Sequence, residues 1–209
     1  MSFSELGLIP EILQAVTDAG YTEPTPIQRQ AIPVVLAGQD IMGGAQTGTG
    51  KTAGFTLPLL NRLARHASTS ASPARHPVRA LILAPTRELA MQVFESVKMY
   101  SKHLPLRSVC IYGGVDMNPQ TAELKRGVEV LIATAGRLLD LAKKGWVYNK
   151  PLDDNAERAI RYELMRLECM MEQLLDMVGV RRPDVLRTNQ TKLGKRYPQG
   201  VYTDQAAQV

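Results

Sequence analysis

Cysteine is scarce in this sequence, and long apolar runs are absent. The two cysteines, Cys110 and Cys169, lie far apart with no CxxC spacing. Neither a disulfide framework nor a zinc site is therefore indicated, and a reducing, cytoplasmic setting fits. No eighteen apolar residues run together, and the N-terminus has no basic region followed by an apolar core. We therefore expect neither a membrane span nor a secretory signal.

What is present indicates a folded, basic chain. The sequence has 209 residues, of which 44% are hydrophobic and 22% charged, and this composition is sufficient to bury a core. Lysine and arginine outnumber aspartate and glutamate by 25 to 20, which gives a net charge of +5. A basic balance favours a polyanionic partner such as nucleic acid.

Helical periodicity alternates with short apolar runs over the first 145 residues. Helices are predicted over residues 9–19, 26–36, 52–64, 86–104 and 119–126, and strands over residues 39–43, 80–84, 108–112 and 129–133. Because nearly all strand residues are apolar, they predict a parallel sheet covered on both faces, which is a three-layer α/β fold. We predict a domain over residues 1–145 and a tail over residues 146–209, with a long helix at 156–178 and a loosely ordered end.

The run Ala45-Gln46-Thr47-Gly48-Thr49-Gly50-Lys51-Thr52 follows a predicted strand and opens a predicted helix. In a phosphate-binding loop, glycines let backbone N–H groups curl around the β-phosphate, and the helix N-terminus adds partial positive charge. Lys51 would reach the β- and γ-phosphates, and Thr52 would help to hold Mg²⁺. The generic pattern begins with glycine where this chain has Ala45. A glycine-rich turn is the alternative, but binding of ATP with Mg²⁺ is favoured.

Two further motifs, GYTEPTPIQ at residues 20–28 and PTRELA at residues 85–90, complete a pattern with this loop. Over about residues 1–145 the chain closely resembles the N-terminal RecA-like domain of DEAD-box RNA helicases. The resemblance implies an ATP-dependent RNA helicase in which Gln28 reads the adenine edge and Phe3 packs on the base. Taken alone, Gln28 would be interpreted as a helix-surface amide and Phe3 as a core anchor of the N-terminal segment, but together with the loop the nucleotide roles are favoured.

Three loops follow predicted strands at their carboxyl ends, where ligands bind in open α/β sheets. By resemblance these loops form a track for single-stranded RNA. Its predicted residues are Pro85, Thr86, Arg87, Gly113, Gly114, Thr134, Gly136 and Arg137. Threonine hydroxyls and backbone N–H groups would donate to phosphates, and Arg87 and Arg137 would supply charge. Helix caps at Thr86 and Thr134 are the alternative, and both interpretations can hold because a capped helix N-terminus is itself an anion site.

Downstream of the motif PTRELA, the sequence departs from the pattern of the DEAD-box family. Ala135 stands where the family has proline. The family motif Asp-Glu-Ala-Asp holds Mg²⁺ and orients water, and it does not occur in this sequence. The family motif Ser-Ala-Thr does not occur in it either. The nearest acidic pair, Asp153-Asp154, is more typical of a helix N-terminus than of a metal site. We recognise no second RecA-like domain. The chain is therefore expected to bind ATP and single-stranded RNA, to hydrolyse ATP barely and to unwind nothing.

Three interpretations of the chain's function stay open at this point. The chain is either such a helicase half or a non-catalytic nucleotide- and RNA-binding regulator, and a truncated or fused product is the third possibility. The methionine-rich helix predicted at 156–178 either binds a protein partner or packs against the first domain. Packing is favoured, because the apolar stripe from Ile160 to Val178 spans fewer than three heptads.

Overall fold

The computed structural model describes residues 2–46 and 48–144. The chain separates into two units, Met1–Pro151 and Leu152–Val209, and the second lies entirely outside the described residues. The predicted tail, its helix at 156–178, the acidic pair Asp153-Asp154 and Cys169 lie outside them too, as does Thr47 of the glycine-rich loop.

Three helices precede the first strand of the described chain, and from that strand onward strands and helices alternate. A 3₁₀ turn at Phe3–Leu6 precedes α1 (Pro10–Asp18), α2 (Pro26–Leu36) and α3 (Lys51–Ala64). A second 3₁₀ turn at Pro73–Arg75 is followed by β1 (Ala80–Ala84), α4 (Arg87–Tyr100), β2 (Ser108–Ile111), α5 (Met117–Lys125), β3 (Val130–Thr134) and α6 (Ala135–Lys143). The predicted bounds of α2 and β1 are confirmed, whereas α4 ends at Tyr100 rather than at residue 104.

Local capping accounts for where α2 and α4 begin. Proline stands at the first position of α2, where its missing N–H costs nothing. The N–H of Thr25 donates to Gln28 Oε1 at 3.0 Å. At α4 the hydroxyl of Thr86 accepts from the Leu89 N–H at 3.2 Å, which confirms the predicted cap. Thr134 is the N-cap residue of α6, but its side chain makes no capping hydrogen bond.

The three strands form a parallel sheet in the order β1-β3-β2. Residue Ala84 pairs with Thr134, and Ile111 with Ala133, so all three strands end at the same edge. Helices α3 and α4 cover one face, in a core with Ile82, Val130 and Ile132, and α5 and α6 cover the other, in a core with Leu131 and Ile111. The predicted parallel sheet with helices on both faces is therefore confirmed, although Leu81 and Leu83 of β1 stay exposed on the second face.

The strand predicted at residues 39–43 is wrong, because residues 39–46 have no regular secondary structure. Ile41 and Met42, which were expected to be in the sheet, are 44% and 62% exposed. A strand is stable only beside a neighbour that satisfies its backbone groups. Within the described residues, none pairs with the outer edge of β1, where Leu81 and Leu83 are exposed. The apolar segment before the loop therefore has no strand partner.

A buried polar cluster lies at the opposite, amino edge of the sheet. Glu129 is fully buried just before β3, and its Oε1 lies 2.5 Å from His76 Nδ1. Its Oε2 accepts from the Arg107 N–H at 2.9 Å, and the Arg79 guanidinium lies 3.7 Å from Oε1. His76 Nε2 lies 2.7 Å from the carbonyl oxygen of Ser70. These contacts hold the segment around residues 70–76 against the beginnings of all three strands.

Two findings bear on the composition arguments. In the part of the chain that the structure describes, no helix is long and apolar enough to cross a membrane. Cys110 is a free, half-buried thiol on β2, and burial, followed by the negative charge of Glu95, raises its pKa to about 11. That thiol is therefore protonated at neutral pH.

Candidate nucleotide and RNA site

The glycine-rich loop has the backbone geometry of a phosphate cradle. Gly48 and Gly50 both adopt left-handed conformations, with φ of 86° and 85°, which residues with a Cβ rarely adopt. Gly50 is the N-cap of α3, so the first N–H groups of that helix open toward the loop. Backbone N–H groups in this arrangement attract anions, and the helix dipole favours negative charge at the same point.

Lys51 extends back into its own loop. Its Nζ donates to the carbonyl oxygen of Ala45 and, at 3.2 Å, to that of Gln46. The Gln46 carbonyl also accepts from the Thr49 hydroxyl at 2.8 Å. Two carbonyl oxygens therefore hold the ammonium group inside the loop, and its contact with the phosphates stays a prediction.

Gln28 joins the start of α2 to this loop. The side chain is 4% exposed, and its Nε2 donates to the Gly50 carbonyl at 3.1 Å while its Oε1 accepts from Thr25. Each polar atom of the amide thus has one partner within the chain, which leaves one N–H and one lone pair for a further contact. Thr25 Oγ1 is buried and has no hydrogen-bond partner among the described residues.

We predict that Gly50→Ala destabilises the domain more than Gly48→Ala does. Both positions are left-handed, so each substitution is expected to cost about 1–2 kcal/mol of backbone strain. A Cβ at Gly50 would also overlap the Gln28 amide nitrogen, whereas a Cβ at Gly48 meets nothing within 4 Å. Losing the Gln28 hydrogen bond should add about 1 kcal/mol. Urea unfolding of the two variants measures the difference, and equal losses would contradict the contact.

Phe3 lies in the hydrophobic core rather than on an open surface. The ring is 5% exposed and packs with Leu6, Ile12 and the other residues of the core that includes Ile32. The 3₁₀ turn Phe3–Leu6 holds it there. Its predicted contact with the base stays a prediction, and that contact requires one face of the ring to leave this packing.

The predicted RNA residues gather at the carboxyl edge of the sheet, because the three parallel strands end together. Six of them are exposed: Pro85, Thr86, Arg87, Gly113, Gly114 and Gly136. Gly136 lies in the first turn of α6, a helix that the sequence pattern did not predict. The edge therefore combines the Gly113-Gly114 turn with the N-termini of α4 and α6.

Arg137 differs from the other predicted RNA residues because it is buried, with 7% exposure. One amine of its guanidinium, Nη2, donates to the Val115 carbonyl at 2.7 Å. The other nitrogens, Nε and Nη1, are buried without hydrogen-bond partners among the described residues. Arg137 thus ties α6 to the turn after β2, and its contact with RNA stays a prediction.

Two residues that shape this edge were not predicted from the sequence. Tyr112 follows β2 directly, and the Arg87 guanidinium lies over its ring, 5.7 Å from the centroid. Gln120 of α5 is 9% exposed and bonds the backbone of Tyr112. An aromatic residue immediately before Gly113-Gly114 at a strand end was the available signal. No comparable sequence signal marked Gln120, because a helical pattern does not show which amide side chain will be buried against the sheet.

The family model for DEAD/DEAH box helicases matches residues 25–159. The chain belongs to the DEAD/DEAH box helicase family. Within that family it is 46% identical over 142 residues to the DEAD-box ATP-dependent RNA helicase RhpA of Helicobacter pylori, covering 68% of this chain and 27% of that protein. It is 49% identical over 139 residues to the ATP-dependent rRNA helicase RRP3 of Saccharomyces cerevisiae, covering 66% of this chain and 26% of that one.

A DEAD-box neighbour of known structure supports the same fold. The crystal structure of a DEAD box protein from the hyperthermophile Methanococcus jannaschii superimposes with a TM-score of 0.60 at 34% identity, covering 75% of this chain and 39% of that one. The α/β fold described above is thus that of a DEAD-box RecA-like domain. This chain spans about a quarter of the length of the two DEAD-box relatives, namely 27% and 26%.

Proposed function

We propose that this chain is an ATP- and RNA-binding domain of the DEAD-box type, which holds Mg²⁺-bound ATP in the loop before α3 and single-stranded RNA at the carboxyl edge of the sheet. The observation that carries the proposal is the placement of Lys51 Nζ on the carbonyl oxygens of Ala45 and Gln46, inside a loop with two left-handed glycines. A cytoplasmic location is part of the proposal.

The residues of the loop fit a triphosphate with its metal ion. Lys51 supplies a positive charge for the β- and γ-phosphates, and the N–H groups at the start of α3 supply donors. Thr52 stands in the first turn of α3, where its hydroxyl would help to hold Mg²⁺. The ion, when bound, neutralises developing phosphate charge. The chain's own part is to position the phosphates against that charge.

Gln28 fits the adenine edge in the same proposal. Adenine offers a donor at N6 and an acceptor at N7, and glutamine pairs with both in a bidentate manner. The spare N–H and lone pair of the Gln28 amide match this pattern without breaking its bonds to Thr25 and Gly50. Nucleotide recognition at Gln28 would therefore act directly on Gly50, the residue that caps α3.

The RNA part of the proposal rests on the exposed edge. Backbone N–H groups at Gly113, Gly114 and Gly136, the Thr86 hydroxyl and the Arg87 guanidinium lie on one side of the sheet at the ends of adjacent strands. Donors of this kind bind phosphate and sugar groups and carry no base information. We therefore expect RNA binding that is indifferent to sequence and sensitive to salt.

The test of the proposal is nucleotide binding and phosphate release by the purified chain. Thermal melting with Mg²⁺ and ATP should show a raised midpoint. Phosphate release, measured with and without single-stranded RNA, should stay at the level of a Lys51→Ala blank. RNA-stimulated release above that blank would show that a carboxylate of this chain completes the site and that the domain is an ATPase. No thermal shift at millimolar ATP would contradict the proposal.

We predict that Arg87→Ala weakens RNA binding for all sequences alike. One phosphate contact is lost, so the slope of log affinity against log salt should fall by about 0.7 to 1. Arg126→Ala is the matched control, since it removes the same charge at the C-cap of α5, at the opposite edge of the sheet. Fluorescence anisotropy across a salt series measures both. An unchanged slope in Arg87→Ala would remove Arg87 from the track.

A further inference from the structure

Arg87 is not a free surface arginine. It is 43% exposed in its side chain, with Nε 3.8 Å from the Glu88 carboxylate, and its guanidinium lies over the Tyr112 ring at 5.7 Å. A guanidinium over the face of an aromatic ring is attracted by the ring's quadrupole without a hydrogen bond, so its N–H donors remain available for phosphate. The aromatic contact thus orients the charge without using its donors.

The backbone of Tyr112 is itself held by hydrogen bonds from α5. Gln120 Oε1 accepts from the Tyr112 N–H and Gln120 Nε2 donates to the Tyr112 carbonyl, both at 3.2 Å. These two bonds imitate a neighbouring strand at the point where β2 has ended. Because Gln120 is 9% exposed and belongs to α5, the position of the Tyr112 backbone is fixed by the helix packed against the sheet.

We propose that Tyr112 is a positioning residue of the RNA track, whose ring holds the Arg87 guanidinium at the carboxyl edge of the sheet. The inference rests on the proposed function. A long arginine side chain loses rotamer entropy when it binds a phosphate. The ring restricts those rotamers before RNA arrives, so the loss on binding is smaller. Tyr112 acts through Arg87 and does not itself touch the RNA.

The experiment is a double-mutant cycle between Tyr112 and Arg87, read by the anisotropy of a fluorescent single-stranded oligouridylate. Tyr112→Leu should weaken binding roughly two- to fivefold in the wild-type background. It should have no further effect in Arg87→Ala. Tyr112→Phe keeps the aromatic face and should bind as the wild type does. The salt slope should fall for Arg87→Ala but not for Tyr112→Leu, because only the first removes a phosphate contact.

Several outcomes would overturn the inference, and they differ from a failure of the proposed function. Equal losses from Tyr112→Leu in both backgrounds would mean that the ring contacts RNA itself. No loss in either background would mean that Arg87 is positioned without it, and a loss in Tyr112→Phe equal to that in Tyr112→Leu would point to the hydroxyl instead. If the wild-type chain does not bind RNA, the proposed function fails and this inference with it.

Discussion

Replacing Lys51 by alanine is expected to abolish the thermal stabilisation of this domain by Mg²⁺ and ATP. The substitution removes the one cation that the structure places inside the glycine-rich loop, on the carbonyl oxygens of Ala45 and Gln46. Without it, the negative charge of the triphosphate meets only backbone dipoles. A ligand at a hundred times its Kd stabilises the folded state by about 2.7 kcal/mol, so the expected loss is the whole of that shift.

The unliganded domain should tolerate this change. Lys51 bonds carbonyl groups of an exposed loop, and Gln46 is exposed, so water can replace the lost donor. The melting midpoint without nucleotide should therefore stay close to that of the wild type. Lys98→Ala is the matched control, because it removes an exposed lysine of α4 that pairs with Glu95. Its nucleotide-dependent shift should equal that of the wild type.

A shift that survives in Lys51→Ala would mean that nucleotide binding does not depend on the Lys51 ammonium group. Gly50→Ala then tests nucleotide binding at the same loop in a second way, because it keeps the Lys51 charge and disturbs the Gln28 contact. Loss of the shift in Gly50→Ala alone would mean that the cradle binds through backbone donors. If the shift is retained in both variants, the loop is excluded as the nucleotide site.

The sequence predicted most of the fold because its signals were local. Pro26 and the apolar positions after it define α2, and the run ALILA defines β1 within the same bounds. Residues 39–43, with Ile41 and Met42 just before the glycine-rich loop, were interpreted as a strand in the same way. A strand also needs a neighbour, and no residue-level pattern reports whether one is present. That is why the same rule succeeded at β1 and failed before the glycine-rich loop.

Burial of charged side chains was the other property that the sequence did not reveal. Arg137 was predicted to supply surface charge, but it is buried and bonds the Val115 carbonyl. Nothing in the sequence separates it from Arg87, which is exposed. The difference comes from α6, which begins directly at Ala135 and turns Arg137 toward the segment after β2. Contacts over such separations belong to tertiary structure, and sequence spacing carries no record of them.

The contact between Glu129 and His76 was even less predictable from the sequence, because 53 positions separate the two residues. The Ser70 carbonyl can only accept, so His76 Nε2 must carry a hydrogen. Nδ1 lies 2.5 Å from Glu129 Oε1, so both nitrogens of the His76 ring contact oxygen atoms of the buried cluster. Breaking such a pair leaves the remaining polar groups buried without partners, which is far more costly than the net value of the pair.

We therefore predict that Glu129→Ala lowers the free energy of unfolding by about 3–5 kcal/mol. The substitution leaves the Arg107 N–H and His76 Nδ1 without their acceptor, and it removes the carboxylate beside Arg79. Because these groups hold the segment around residues 70–76 against the amino edge of the sheet, that segment should also gain amide hydrogen exchange. Urea unfolding and exchange mass spectrometry measure the two effects.

Glu123→Ala is the control that separates burial from charge. Glu123 pairs with Arg126 at 2.8 Å, but the side chains of the two are 51% and 74% exposed. An exposed pair of this kind contributes about 0–1 kcal/mol, so its removal should change the unfolding midpoint little. Similar losses in Glu123→Ala and Glu129→Ala would mean that the buried cluster adds no more than a surface ion pair. A large loss confined to Glu129→Ala would establish the amino edge as the part of the sheet on which the domain's stability depends, far from the edge proposed to bind RNA.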